Sequence, residues 1–230
     1  MKRYGLQKTT LLDYPGHVAA TVFSGGCNLR CPFCHNSGLL SQDAQEGFSK
    51  EEILHFLEKR KGILEGVCIT GGEPTQNPEL EDFIQEIRKL HYLVKLDTNG
   101  YNPERLKDLC AKGLLDYVAM DIKAGRKNYS RATGVPGLDL SRIEESAAFL
   151  LSQSIPYEFR TTVVRGIHSS EDFLDIGRWL GGSSPYYLQN FVDSDQVLEP
   201  GFSSFSMEEL NAFLELVRPF FPHASLRGID

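Results

Sequence analysis

The chain has 230 residues, 41% hydrophobic and 24% charged, which is enough for one large α/β domain with a proper core. Its net charge of −7 argues against a nucleic-acid groove or an anionic membrane surface, both of which are bound through Lys and Arg. No apolar run approaches the roughly 20 residues that span a bilayer, and Met1-Lys-Arg-Tyr-Gly lacks the apolar stretch of a signal peptide, so the expected compartment is the cytoplasm.

Six apolar runs predict strands in chain order: Val18–Phe23, Val67–Thr70, Leu93–Asp97, Tyr117–Asp121, Tyr157–Val164 and Tyr186–Phe191. Helix-start signals stand between and after them. Ser49-x-x-Glu52, Ser141-x-x-Glu144 and Ser206-x-x-Glu209 read as capping boxes. Asn77-Pro78 and Asn102-Pro103 place a cap before a proline at the first helical position, and Ser169 or Ser170 can cap a helix whose stripe is Phe173, Leu174, Ile176 and Leu180. Six βα units imply a parallel sheet with right-handed crossovers. Six strands are too few for the closed eight-stranded barrel, so the expected fold is α/β, an open partial (β/α)6 barrel. Ligands then gather where the strands end.

Directly after the first of these strands comes Cys27-Asn-Leu-Arg-Cys31-Pro-Phe-Cys34. Three thiolates within one loop suit an iron–sulfur cluster with one iron left open, and Gly25-Gly26 lets the backbone turn around a bulky group. The alternative is structural zinc, with His35 as a fourth donor. Cys68 lies in a predicted strand and Cys110 on a predicted helix, and both read as small core residues.

Cys-x3-Cys-x-aromatic-Cys, with Phe33 as the aromatic, resembles the signature of the radical S-adenosylmethionine enzymes. Asp13-Tyr14-Pro15-Gly16 and Cys31-Pro32-Phe33-Cys34-His35-Asn36 resemble, more narrowly, the activating enzymes of glycyl radical enzymes, in particular those serving anaerobic ribonucleotide reductases. The resemblance runs from Tyr4 to about Val192 and implies one domain over 1–230, with a core at about 17–192 and a C-terminal loop, helix and tail at 193–230. It implies a [4Fe-4S] cluster on Cys27, Cys31 and Cys34. Reductive cleavage of S-adenosylmethionine to a 5′-deoxyadenosyl radical follows, and that radical takes hydrogen from a glycine of the partner. A flavodoxin or ferredoxin is implied as electron donor, and no side chain is required as acid, base or nucleophile. The rival readings are an activase of a formate-lyase-like enzyme, a small-molecule enzyme such as a 7-carboxy-7-deazaguanine synthase, and a zinc-stabilised binding module.

The resemblance also places the cofactor. Phe33 and His35 flank the last cysteine, and Gly71-Gly72-Glu73-Pro74 would receive the amino group, with Glu73 as acceptor. Asp97-Thr98-Asn99 and Asp121-Ile122-Lys123 end the next two strands, with Asn99 within reach of a ribose hydroxyl and Lys123 pairing with the methionine carboxylate. Two aspartates near a carboxylate ligand repel it, so either a monovalent cation or Lys123 is expected to neutralise them. Arg160 is a charge in an apolar strand, expected to face the cofactor carboxylate or an acidic partner. Gln189, Asn190 and Phe191 offer amides and a ring for the adenine. Lys123, Arg126, Lys127 and Arg131 form a basic stretch suited to a partner or to solvent.

Overall fold

The structure is a computed structural model that describes residues 4–41, 47–152 and 155–228. Its strands are β1 (Tyr4–Thr10), β2 (Ala19–Ser24), β3 (Gly66–Gly71), β4 (Leu93–Thr98), β5 (Tyr117–Asp121), β6 (Tyr157–Val163), β7 (Tyr186–Asn190) and β8 (Ser225–Arg227). The helices are α1 (Lys50–Glu58), α2 (Leu80–Lys89), α3 (Pro103–Ala111), α4 (Tyr129–Thr133), α5 (Leu140–Ser152), α6 (Ser170–Leu180) and α7 (Met207–Val217). The strands follow one another through one sheet in chain order. All six expected strands are present, each within a residue or so of its expected bounds. Two additional ones, β1 and β8, carry too little apolar alternation to be read from sequence: Tyr-Gly-Leu-Gln-Lys-Thr-Thr is mostly polar, and Ser-Leu-Arg is too short. Among the described residues no helix is long and apolar enough to cross a membrane.

Helix starts divide into two kinds. Ser49 with Glu52 and Ser206 with Glu209 form the expected capping boxes. Ser169 caps α6, with Asp172 reaching back to its backbone N–H at 2.9 Å. Ser141 is not a cap. Helix α5 begins one residue earlier, and Asp139 accepts from both the N–H and the hydroxyl of Ser141. Asn77 does not cap α2 either, which starts at Leu80; its amide donates to the Tyr4 hydroxyl at 2.9 Å instead. Asn102 precedes Pro103 as expected but makes no side-chain cap bond, donating to the Thr75 carbonyl at 3.3 Å.

The described residues fall into two compact units. The first lies within Met1–Asn28, Gly38–Ala119 and Ser154–Pro156. There β1 runs antiparallel to β2, and β2, β3 and β4 are parallel with Ala20 opposite Val67 and Val67 opposite Val94. Ala20, Val67, Val94, Ile53, Leu57, Phe83 and Ile87 are fully buried and form its apolar core. Asp13-Tyr14-Pro15-Gly16 joins β1 to β2. Asp13 accepts from the Thr21 hydroxyl, and the buried Tyr14 ring lies where a side chain at Gly66 would have to go. This motif therefore braces the starts of β2 and β3.

The second unit lies within Leu29–Ser37, Met120–Gln153 and Tyr157–Asp230. It holds parallel β6, β7 and β8, with Arg160 opposite Tyr187 and Gln189 opposite Arg227. Strand β8 is locked by charge. Arg227 makes a two-pronged bond to the buried Glu158 at 2.7 and 3.0 Å and lies 3.5 Å over the Tyr187 ring. Phe173 of α6 packs on Phe213 of α7 with ring centroids 4.6 Å apart.

Candidate active site

In the first unit the strand ends carry a tight backbone junction. Gly72 N–H donates to the Ser24 carbonyl at 2.8 Å and Glu73 N–H to the Gly26 carbonyl at 2.7 Å. A Cβ on Gly72 would overlap the Gly26 carbonyl, and Gly71 has φ +114, so both glycines of the Gly-Gly-Glu-Pro turn are required by the chain's own geometry. Pro74 opens a short 3-10 turn over Pro74–Gln76.

Glu73 is only 1% exposed. One of its oxygens accepts from Thr75 N–H, the Thr75 hydroxyl and the Thr98 hydroxyl at 3.0, 2.6 and 2.8 Å; the other accepts from Asn99 N–H at 2.6 Å. Burial raises its pKa, against the opposing pull of these donors. The carboxylate thus ties the end of β3 to the end of β4. Glu73→Gln places an amide where the chain presents donors, and the expected cost is about 1–3 kcal/mol in a urea melt; an unchanged midpoint would show that the donors reorganise freely.

Asn99 donates to Asn28 Oδ1 at 2.9 Å, lies 4.0 Å from Cys27 Sγ and accepts from Tyr101 N–H at 3.0 Å. Thr98 is buried and also accepts from Gly100 N–H. Asp97 pairs with Lys95, a fully buried lysine two residues back on the same face of β4 whose Nζ is also 3.8 Å from Cys68 Sγ. Sequence reading singled out Arg160 as a charge in an apolar strand and passed over Lys95 in Leu93-Val94-Lys95-Leu96, where the same signal stands.

In the second unit Asp121 sits between two cations. Arg160 Nε reaches Oδ1 at 2.9 Å and Lys123 Nζ reaches Oδ2 at 3.1 Å. Burial alone would raise the Asp121 pKa, but Arg160 and then Lys123 outweigh it and hold the carboxyl at about 2. Burial works against the Lys123 ammonium, yet Asp121 and then Cys31 raise its pKa. Of the two partners expected for Arg160, the acidic one is present. Ile122 is fully buried, and its N–H donates to the Arg160 carbonyl at 2.7 Å.

His168, absent from the sequence reading, fixes Lys123 from behind. Its Nε2 lies 2.8 Å from the Lys123 carbonyl while Nδ1 accepts from Val164 N–H at 3.0 Å, an arrangement that needs the neutral ring protonated on Nε2. Burial lowers its pKa from 6.5. The unfolded chain therefore takes up this proton first, and stability should fall as pH drops below about 6.5. Denaturant melts between pH 7.5 and 5 check this. His168→Gln should flatten the slope, and an identical slope in the variant would place the effect elsewhere.

The second unit also holds the later part of the cysteine loop. Arg30 N–H donates to the Thr133 carbonyl at 2.9 Å, and Leu198 and Glu199 N–H groups donate to the Cys34 and Pro32 carbonyls at 3.2 and 2.9 Å. Phe33 is buried, edge-on to His168 at 6.2 Å. His35 stacks on Phe191 with centroids 5.0 Å apart, and its buried Nε2 has no hydrogen-bond partner among the described residues. Phe191 is itself buried, so its ring is engaged by His35. Asn190 accepts from Phe205 N–H at 3.3 Å and donates to the Phe205 carbonyl at 3.2 Å. Gln189 lies one residue away, pointing to the other side of β7 by the alternation of the strand.

None of the five cysteines forms a disulfide among the described residues. Burial pushes the Cys110 thiol up to about 11, which suits a core residue and not a ligand. Among the described residues no three or more His, Cys, Asp or Glu side chains stand together as a single-ion site. A cluster spreads its thiolates over separate irons and does not require them to meet at one point. The donor set on the loop, three thiols outside any disulfide on an anchored backbone, fits such a group.

An α/β chain with charged side chains at its strand ends and a thiol-bearing loop is of the class that builds its chemistry where parallel strands end. Residues 21–180 match the Radical SAM superfamily, and the chain belongs to it. Membership implies an iron–sulfur cluster and S-adenosylmethionine as cofactors. A Methanocaldococcus jannaschii protein named "Putative glycyl-radical enzyme activating enzyme MJ1227" is 29% identical over 216 residues, which is 92% of this chain and 88% of that protein. A Thermococcus kodakarensis protein named "Probable GTP 3',8-cyclase" is 33% identical over 150 residues, 63% of this chain and 47% of that one. Among solved structures, Streptococcus suis SuiB bound to S-adenosylmethionine superposes with a TM-score of 0.67 at 16% identity, covering 89% of this chain and 49% of SuiB. That likeness establishes the fold, the partial (β/α)6 barrel expected from six βα units.

Proposed function

We propose that this enzyme is an activating enzyme that installs a glycyl radical on a partner protein, with an anaerobic ribonucleotide reductase as the partner and a flavodoxin or ferredoxin as the electron donor. The observation that carries this reading is the similarity to the M. jannaschii activating-enzyme relative over 92% of the chain. The Asp13-Tyr14-Pro15-Gly16 and Cys34-His35-Asn36 strings support it.

In this reading Cys27, Cys31 and Cys34 hold a [4Fe-4S] cluster, and Phe33 and His35 line its loop. Cluster and cofactor together supply one-electron cleavage of a sulfonium and the hydrogen-atom transfer that follows. The protein's residues bind and orient. The trio of Asp121, Lys123 and Arg160 carries two positive charges and one negative, so it favours a carboxylate such as that of the methionine moiety. Asp97 pairs with Lys95, and Asp121 with Lys123 and Arg160, which supports neutralisation of the aspartates by side chains rather than by a monovalent cation. Gly71, Gly72, Glu73 and Pro74 hold backbone for the cofactor's amino group, Asn99 and Thr98 stand ready for the ribose, and Ile122 and Gln189 for the adenine.

The test is anaerobic incubation with reductant, S-adenosylmethionine and candidate partners, read by electron paramagnetic resonance for a glycyl doublet. Deuterium should pass from labelled glycine into 5′-deoxyadenosine. A small molecule that gives up the label while every protein candidate stays silent would move the enzyme to the class of the 7-carboxy-7-deazaguanine synthases or the GTP cyclases. A doublet on a formate-lyase-like enzyme alone would change the partner.

A further inference from the structure

In the second unit the two faces of the sheet differ in chemistry. Phe159, Val163, Tyr186 and Leu188 are fully buried on one face of β6 and β7. Alternation puts Glu158, Arg160, Tyr187 and Gln189 on the other. Arg227, opposite Gln189 on β8, joins that second face. Its guanidinium reaches back over the Tyr187 ring to Glu158, and Tyr187 stands opposite Arg160 in the register of β6 and β7. Charges therefore follow one another along this face: Arg227 on Glu158, then Arg160 and Lys123 on Asp121.

The acids and cations of this row compete. Glu158 is fully buried, so its charge must be met by a cation. Arg227 meets it through both oxygens, at 2.7 and 3.0 Å. Burial works against the Arg227 guanidinium, Glu158 more than offsets this and raises its pKa, and Arg160 opposes it from nearby. Arg160 and Glu158 lie two residues apart on one face of β6, about 7 Å along the strand, which an arginine side chain can span.

Without the charge of Arg227, Glu158 has Arg160 within reach as a replacement. An Arg160 captured by Glu158 is lost to Asp121, which then keeps Lys123 as its cation. The trio of Asp121, Lys123 and Arg160 would pass from one net positive charge to none. A carboxylate ligand would lose its attraction to the site.

We propose that Arg227 is a positioning residue for the candidate site: by neutralising Glu158 it leaves Arg160 to Asp121, and so keeps the trio cationic for a carboxylate ligand. The ligand half of that statement rests on the reading of the trio as the place of the methionine carboxylate. Strand β8, three residues long, then serves the site and not only the edge of the sheet.

The test compares wild type with Arg227→Gln, Arg227→Lys and the double variant Arg227→Gln with Glu158→Gln. One reading is the Arg160 Nε–H signal in nitrogen–proton correlation spectra of the protein without cofactor, identified by its loss in Arg160→Lys. This Nε donates to Asp121 Oδ1 at 2.9 Å. The signal should move in Arg227→Gln and return in the double variant, where no buried acid competes, and in Arg227→Lys, which keeps the charge. The other reading is S-adenosylmethionine binding to the anaerobically reconstituted protein. Kd should rise about ten-fold or more in Arg227→Gln, and most of the loss should be recovered in the other two variants. An unmoved signal in Arg227→Gln, as when Glu158 takes up a proton instead of capturing Arg160, would overturn the proposal. So would a shift that Glu158→Gln does not reverse, because a loosened β8 accounts for it. Should Arg227→Gln not fold, a displaced signal in the double variant or in Arg227→Lys overturns the proposal in the same way. A signal that moves and returns while Kd stays constant would leave the hold of Arg227 on Arg160 standing and sink the carboxylate reading of the trio.

Discussion

Replacing Cys27, Cys31 or Cys34 singly by alanine should give protein that folds but retains almost none of the iron of the wild type after anaerobic reconstitution, and that cleaves no S-adenosylmethionine. Two thiolates cannot hold a four-iron group that normally takes at least three from the chain. The folded state should survive, because the loop backbone is anchored by Arg30, Pro32 and Cys34 main-chain bonds that do not involve sulfur. Cys68→Ala and Cys110→Ala provide the contrast. Cys68 is fully buried near Lys95, and Cys110 carries a thiol whose burial disfavours the thiolate, so both variants should keep normal iron while losing some stability. Iron per chain and visible absorbance decide the matter. Loss of iron in Cys68→Ala with a normal fold, or retention in Cys31→Ala, would break the ligand assignment.

Gly134→Ala is expected to be nearly as damaging, although Gly134 lies a hundred residues from the cysteines in the chain. This glycine ends α4 in the left-handed region at φ +65, where a Cβ costs about 1–2 kcal/mol on backbone grounds alone. The larger effect is steric. A Cβ at Gly134 would sit on the carbonyl oxygen of Arg30, next to the Arg30 N–H bond to Thr133. The helix cap and the cysteine loop must then move apart, which releases the loop between Leu29 and Cys34. The variant should melt earlier and incorporate less iron. Gly137→Ala is the control: its φ of +70 carries the same backbone cost, but nothing lies where its Cβ would go. If both variants lose iron equally, the close approach to Arg30 does not position the loop.

The six parallel-type strands were legible because each is a run of apolar residues bounded by a capping signal, and both the burial and the cap are local properties. The cysteine loop stood out for the same reason, since its three thiols are spaced within eight residues. Misread starts had a local cause as well. Ser141 and Asn77 look like caps in one dimension, but the Ser141 hydroxyl donates to Asp139 and the Asn77 amide oxygen accepts from Glu79 N–H, before α2 begins.

Partnership across the sheet was not legible. Lys95 and Asp97 are two letters apart, yet only the strand's alternation and burial make them an ion pair. Arg160 was expected to meet a carboxylate, and the fold decided that Asp121, 39 residues away, is one. Glu73 reads as a free acceptor in Gly-Gly-Glu-Pro, but Thr75 gives it two donors from its own turn and the adjacency of β3 and β4 adds two more, from Thr98 and Asn99. His168 has no motif at all; its role exists only because the loop after β6 comes back against Lys123. Sequence by itself determined the six βα units and their order, and where the three closely spaced thiols lie, because those follow from periodicity and local spacing. Which charge neutralises which, and which glycine must stay bare, was decided by tertiary structure, because those are properties of the distances between strands and helices that the chain joins only through long crossovers.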